Sequence, residues 1–326
     1  MKRATILLAT VAVPLLLSSC IVIPIGDLLK RQPLNEEILV DGEGLFEKQK
    51  IAIVEVNGVI RGESNFGLLS SQDNSVTEFR ARLKKVQDDT EVKAVVVRIA
   101  SPGGEVTACD IMYNDLVRFK QDVEIPVVSC IVEQGASGGY YIAMGTDHVV
   151  AHPTAIVGSV GVILQSFDLS GLMEIVGVKS EPVKSSDQKD LNSPFRPMTS
   201  DERVVLQKLV DDLYARFVEV VDRGRPELDN EKVKSFSDGR VVSGESALEL
   251  GMVDQTGYLA DAIEVARVRS NITSPTIVHY TRPGGSPTRL TAALDDTASS
   301  GQGLEMNLRV PQFNTPKFYY LWRPGF

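Results

Sequence analysis

Two hydrophobic periods alternate along most of this chain. Lys50-Ile-Ala-Ile-Val-Glu-Val56, Val92-Lys-Ala-Val-Val-Val-Arg-Ile99 and Pro126-Val-Val-Ser-Cys-Ile-Val132 are short, β-branched, nearly unbroken apolar runs. Runs of this kind predict strands of a parallel sheet covered on both faces. Between the first two, Val76, Phe79, Leu83 and Val86 recur at helical spacing, which predicts an amphipathic helix over 75–88. A second helix is expected from Val106 to about Phe119, and short strands at 149–150 and 156–163. The stretch 169–176 reads as helical and 181–183 as extended. A long amphipathic helix follows over 199–223, with Thr199 as N-cap and Glu202 three residues on. Helices at 243–250 and 260–268, stopped by Gly251 and Gly257, precede a last strand at 275–280. Strand and helix alternate, so the class is α/β.

The two ends break this pattern. Lys2-Arg3, the apolar run Ala4 to Leu17 and Leu17-Ser-Ser-Cys20 form a targeting segment over 1–19. Its apolar run falls short of the roughly 20 residues that span a bilayer. Leu-Ser-Ser-Cys resembles a bacterial lipoprotein box, which implies cleavage before Cys20 and lipidation of its thiol. An uncleaved anchor running on to Ile25 is the alternative, which Pro14 and Pro24 make less suitable as one helix. Either way the remainder is expected outside the cytoplasm, tethered to a membrane. Residues 20–49 read as a linker, 50–270 as the main domain and 271–326 as a C-terminal extension, flexible in part. That extension ends in Phe318-Tyr-Tyr-Leu-Trp322, too apolar to leave in water without a partner.

With 326 residues there is ample chain for a core, and the net charge of −9 argues against nucleic acid as a partner. Beyond Cys20 only Cys109 and Cys130 remain; they are read as buried, reduced small hydrophobes. No Cys/His cluster points to a metal.

The chemistry concentrates at Glu133-Gln-Gly-Ala-Ser137-Gly-Gly-Tyr-Tyr141, a glycine-rich turn between a strand and a helix-compatible segment. A serine there has an exposed hydroxyl, and the glycines offer N–H groups without side chains in the way. Two bases compete. Gly135-x-Ser137-x-Gly139 matches the elbow of Ser-His hydrolases, with His279 and either Asp254 or Asp261 as partners. Lysine is the other: free in water it titrates near ~10.4, and burial can lower that by roughly 3 units, leaving a neutral amine able to take a proton. Lys184 and Lys189 are the candidates, in a segment that by itself is an ordinary polar loop.

Five separated motifs occur in order: Ser101-Pro-Gly-Gly, Ala136-Ser137-Gly-Gly-Tyr-Tyr-Ile142, Val157-Gly-Ser159-Val-Gly-Val162, Lys184 to Asp190, and Asp238-Gly-Arg-Val-Val-Ser-Gly with Leu250-Gly-Met-Val-Asp254. Together they resemble the signal peptide peptidase A family, membrane-associated serine–lysine peptidases of the Clp/crotonase-like fold, in its short single-repeat form. The resemblance spans about 50–269. It implies Ser137 as nucleophile, Lys189 as general base, Ser159 as a support for the lysine amine, and the N–H groups of Gly104 and Gly138 as oxyanion hole. It also implies peptide substrates, no cofactor and assembly into a homo-oligomeric ring. Glu105 stands where the family often has a smaller residue, and a lipid anchor replaces the usual N-terminal helix. Two other readings keep the fold: a crotonase-like thioester enzyme, which the extracytoplasmic address disfavours, and a non-catalytic lipoprotein scaffold.

Overall fold

A computed structural model describes residues 33–42, 49–62, 66–67, 70–71, 74–282 and 318–322. The targeting segment, Cys20 and most of the C-terminal extension lie outside the described residues. In chain order the strands are β1 (Asn35–Val40), β2 (Lys50–Asn57), β3 (Phe66–Gly67), β4 (Ser70–Ser71), β5 (Val92–Ser101), β6 (Gly103–Glu105), β7 (Val127–Ala136), β8 (His148–Ala151), β9 (Ile156–Gly158), β10 (Ile163–Leu164), β11 (Val241–Ser243), β12 (Gln255–Thr256), β13 (Thr276–Thr281) and β14 (Phe318–Leu321). The helices are α1 (Ser75–Asp88), α2 (Val106–Val123), α3 (Gly138–Ala143), α4 (Ser170–Ile175), α5 (Ser200–Gly224), α6 (Asn230–Phe236), α7 (Gly244–Glu249) and α8 (Leu259–Arg269).

The main sheet runs β1-β13-β2-β5-β7-β8-β12, parallel from β13 to β12 with β1 antiparallel at its edge. Its strands are the unbroken apolar runs, and both faces are covered as such runs require. Ile51 and Ile53 of β2 pack with Leu259, Ala262 and Ala266 of α8 on one face. Ala52, Val54 and Val56 turn to the other, where Val76, Phe79 and Leu83 of α1 join them. Each large aliphatic side chain so buried contributes about 1.5–3 kcal/mol. Local signals set the helix starts: the Asn74 side chain accepts from Val76 N at 2.9 Å, and Thr199 and Glu202 form the reciprocal cap expected of them.

Three stretches differ from expectation. The proposed linker contains β1, and Leu34 before it is buried in the core, so the folded part begins ahead of Lys50. The last strand expected at 275–280 is β13, but it lies inside the sheet between β1 and β2, so the main domain runs past residue 270. Strand β7 continues through the glycine-rich turn as far as Ala136, because Gln134, Gly135 and Ala136 pair with β9. A second, small sheet, β10-β14-β6, seats the aromatic terminus against Gly103–Glu105. Among the described residues no helix is long and apolar enough to cross a membrane.

Candidate active site

Strand β7 and helix α3 meet at Ser137. Its backbone turns through φ 52° and ψ −115°, a conformation an L-residue adopts at a cost of about 1–3 kcal/mol. The surroundings hold it there. Ser137 N donates to Gly158 O at 2.6 Å, pinning the turn to the end of β9. The side chain is 1% exposed, and its Oγ has no hydrogen-bond partner among the described residues.

The glycines beside it are there because backbone approaches backbone. A Cβ on Gly138 would stand 2.3 Å from Cys109 Sγ and 3.2 Å from Gly104 N; one on Gly104 would be 1.9 Å from Ile60 O. Strand β6 is also oriented. Ile60 N donates to Gly103 O and Glu105 N to Ile60 O, both at 2.9 Å, so those residues face Ile60. By the alternation of a strand, the Gly104 N–H then points the other way. Ser101 fixes the start of this segment: its Oγ donates to Gly58 O at 2.7 Å and accepts from Gly103 N at 3.1 Å. Gly104 and Gly138, expected as a donor pair, are thus neighbours next to Ser137. Ser159 is close in the chain path, following the Gly158 that accepts from Ser137; it too has positive φ, 53°, and its N donates to Arg240 O at 2.6 Å.

The two lysines have different settings. Lys184 Nζ lies 2.8 Å from Asp190 Oδ1, and Arg196 joins the same carboxylate at 2.7 Å while also pairing with Glu202. Arg196 and Lys184 hold the Asp190 carboxyl well below the usual range. Lys189 sits on the single 3-10 turn Asp187–Asp190 with its side chain exposed, and the unpartnered Ser137 hydroxyl shows that it does not reach the nucleophile within this chain.

Nor are the members of a Ser-His triad together. His279 is buried in β13 with Nε2 3.2 Å from Glu55 Oε2, and Arg98 reaches the same carboxylate. Burial alone would raise the Glu55 carboxyl, but His279, Asn57 and Arg98 outweigh it and hold it at about 2. Asp254 is taken by Arg225 at 3.0 Å and by Val149 N, and Asp261 caps α8 through Tyr258 N. Among the described residues no group of His, Cys, Asp and Glu is placed to hold a metal.

Beyond the sequence-predicted residues, the site includes an aromatic wall. Tyr141 of α3 lies 5.3 Å from Tyr113 and 4.9 Å from Phe217, ring centre to ring centre, and Tyr320 of β14 stacks on Tyr141 at 5.1 Å. The apolar Phe318–Trp322 run signalled that a partner exists but not which one.

Comparison with known proteins identifies the family. The profile of Peptidase family S49 matches residues 119–273. A protein assigned as signal peptide peptidase SppA from Enterococcus faecium is 36% identical over 247 residues, covering 76% of this chain and 70% of that protein. A protein assigned as a protease from Synechocystis sp. is 40% identical, over 66% of this chain and 72% of its own. Protease 4 of Haemophilus influenzae is 30% identical over 84% of this chain but only 46% of itself. Family S49 has a ClpP/crotonase-like fold, in keeping with the largely parallel sheet described above. With relatives this similar over this much of both sequences, the chain belongs to the signal peptide peptidase A family and is a serine peptidase.

Proposed function

We propose that the chain is an endopeptidase in which Ser137 attacks the peptide carbonyl and Lys189 is the general base. It acts on released signal peptides or other extended apolar peptides beside a membrane, on the extracytoplasmic side, held by lipid on Cys20. The observation that carries this reading is the backbone of Ser137. A buried, unpartnered hydroxyl on a positive-φ turn, beside the Gly104 and Gly138 N–H groups, has no packing purpose that alanine would not serve better.

The steps follow from the groups available. The hydroxyl adds to the carbonyl carbon as its proton passes to a neutral lysine amine, and the N–H pair receives the growing negative charge. Each such donor is worth about 2.7–4 kcal/mol of barrier. The protonated amine then delivers its proton to the departing nitrogen, and water releases the acyl group from Ser137.

Lys189 is exposed in the single chain, and the segment that carries it also exposes Leu172, Ile175, Val176, Val178 and Val183. These positions favour a homo-oligomeric ring in which a second copy covers that segment and receives Lys189 at its own Ser137. The amine would then be dried by the contact, which is what lowers a lysine into the working range. Ser159 helps orient it.

Hydrolysis of a fluorogenic apolar peptide tests the nucleophile, since Ser137→Ala abolishes turnover and an equal rate would refute the reading. Mixing Ser137→Ala with Lys189→Ala subunits tests the base. Recovered activity places serine and lysine on different copies, and loss without recovery places them on one. Full activity of Lys189→Ala alone removes Lys189 from the mechanism.

A further inference from the structure

The segment that carries Lys189 is not held by an apolar core. Among the described residues, none from 161 to 201 is buried, and Val183 stands fully exposed. The first buried position after it is Glu202, 3% exposed, in the opening turn of α5. A stretch ordered without buried apolar area depends on its polar contacts, and here these converge on one side chain, Arg196.

The Arg196 guanidinium grips two carboxylates at once. Toward Asp190, Nε donates to Oδ2 at 3.0 Å and Nη2 to Oδ1 at 2.7 Å. Toward Glu202, Nη1 donates to Oε2 at 2.9 Å and Nη2 to Oε1. Nη1 also reaches Pro197 O at 3.2 Å. Two parallel bonds to each carboxylate fix direction as well as distance, and a planar fork with five donors is the side chain that can make both pairs. Both carboxylates are held ionised by it: Arg196 and the Thr199 N–H bring the Glu202 carboxyl down to about 2.

The ends of this clamp sit where position counts. Asp190 is the residue after Lys189 and closes the same 3-10 turn. Lys184 ties that turn across its width, its Nζ reaching Asp190 Oδ1 at 2.8 Å and Asp187 O at 3.5 Å. Glu202 is locked from the other side, since its Oε2 also accepts from Thr199 N at 2.9 Å in the α5 cap. Helix α5 is 25 residues long, roughly 37 Å, and its far end buries Phe217, Val220 and Val221 in the core. The turn is thereby mounted on a rod rooted in the fold, and the side-chain route from the turn to that rod passes through Arg196.

We propose that Arg196 is the positioning residue for Lys189: by bridging Asp190 to Glu202 it holds the base-bearing turn at the angle from which the amine meets a serine hydroxyl. The proposal rests on the reading of Lys189 as base, and it is the same whether that serine belongs to this copy or to its neighbour. Arg196 takes no proton and acts through the placement of the turn. A catalytic group displaced by about 1 Å loses on the order of 10²-fold in rate, so the clamp governs kcat and leaves KM nearly alone.

The test is steady-state hydrolysis of a fluorogenic apolar peptide by the full-length chain and its Arg196→Ala, Arg196→Lys and Lys189→Ala variants, each checked for melting temperature and for assembly size on a sizing column. Arg196→Ala is expected to lose about 10²-fold in kcat, with KM within about twofold of wild type. Arg196 is only partly buried, so the space it leaves is open to solutes. Millimolar guanidinium should therefore restore much of the lost rate by refilling that space, and should leave wild type and Lys189→Ala unchanged. Arg196→Lys, a point charge in place of a fork, should fall between wild type and Arg196→Ala. Wild-type kcat in Arg196→Ala overturns the proposal. So does a loss carried by KM, or a loss in kcat that guanidinium does not relieve in a variant that melts and assembles as wild type does. If Arg196→Ala does not fold or assemble, Arg196→Lys decides: wild-type kcat overturns the proposal, and a lower kcat at unchanged KM supports it. A fully active Lys189→Ala overturns the reading of the base and the proposal with it. An inactive Lys189→Ala beside an unaffected Arg196→Ala overturns the proposal alone.

Discussion

Removing the Ser137 hydroxyl should make the protein more stable while making it inactive. The hydroxyl is buried and unpartnered, and an unsatisfied polar group in that state costs about 1–3 kcal/mol. Ser137→Ala deletes it and keeps the Cβ, so the fold should gain about 1–2 kcal/mol. For domains of 150–250 residues each kcal/mol moves Tm by about 2–4 °C, and the larger chain here sits at the low end. Ser137→Gly separates a second contribution. It also loses a buried methyl-sized group, about 0.8 kcal/mol, and adds about 0.5–1 kcal/mol of unfolded-chain entropy. Against that it relieves the 52° φ, worth about 1–3 kcal/mol. The losses, about 1.3–1.8 kcal/mol, overlap the gain of about 1–3 kcal/mol, so glycine should fall no more than about 1 kcal/mol below alanine here, where an ordinary buried position would place it well below. Thermal unfolding of the three proteins, followed by circular dichroism, gives the ranking. If wild type melts highest, the hydroxyl is satisfied and the turn relaxed, and the argument from strain fails.

Other outcomes follow from the same coordinates. Gly138→Ala should lower kcat by about 10²-fold or more, because its Cβ collides with Cys109 Sγ and displaces a hole donor; steady-state kinetics on a peptide substrate checks this. Glu55→Gln should cost about 3 kcal/mol at pH 7 in denaturant unfolding, since it strands the buried Arg98 cation. The Glu55 carboxyl is depressed to about 2 from an ordinary 4.5, so its contribution is complete above 4.5 and is lost as the pH falls toward 2. The Gln variant should lack that part of the acid dependence, and an unchanged slope between those pH values would contradict it. Burial pushes the Cys130 thiol up to about 12 and raises Cys109 further, so maleimide should label neither at pH 8 until denaturant is added, as read by peptide mass.

Elements whose stabilising contacts are local were legible in the sequence. The Thr199–Glu202 cap, the α1 stripe of Val76, Phe79 and Leu83, and the three central strands each show their structure in a window of a dozen residues. The turn at Ser137 was legible for the same reason, since its glycines are required by contacts that any close backbone crossing would impose. What escaped depends on partners far along the chain. Gly103–Glu105 carries no strand pattern of its own and is paired by a strand more than two hundred residues later, and Asn35–Val40 has no periodicity because it lines only the edge of the sheet. Lys189 shows a third kind of limit. It is exposed within one chain, so neither local pattern nor the folded monomer supplies the dry setting that the proposed base needs.

The three residues of β6 have one further consequence. Ile60 meets one of their edges and β14 pairs with the other through main-chain groups, with Tyr320 filling the recess beside it between Tyr141 and Phe217. Backbone pairing of that kind takes hold of a segment that can lie straight for a few residues, and a folded domain, whose main-chain groups are already paired, offers none. On the proposed reading, what is degraded then depends on whether a chain end or loop can be drawn out, and stably folded neighbours are spared.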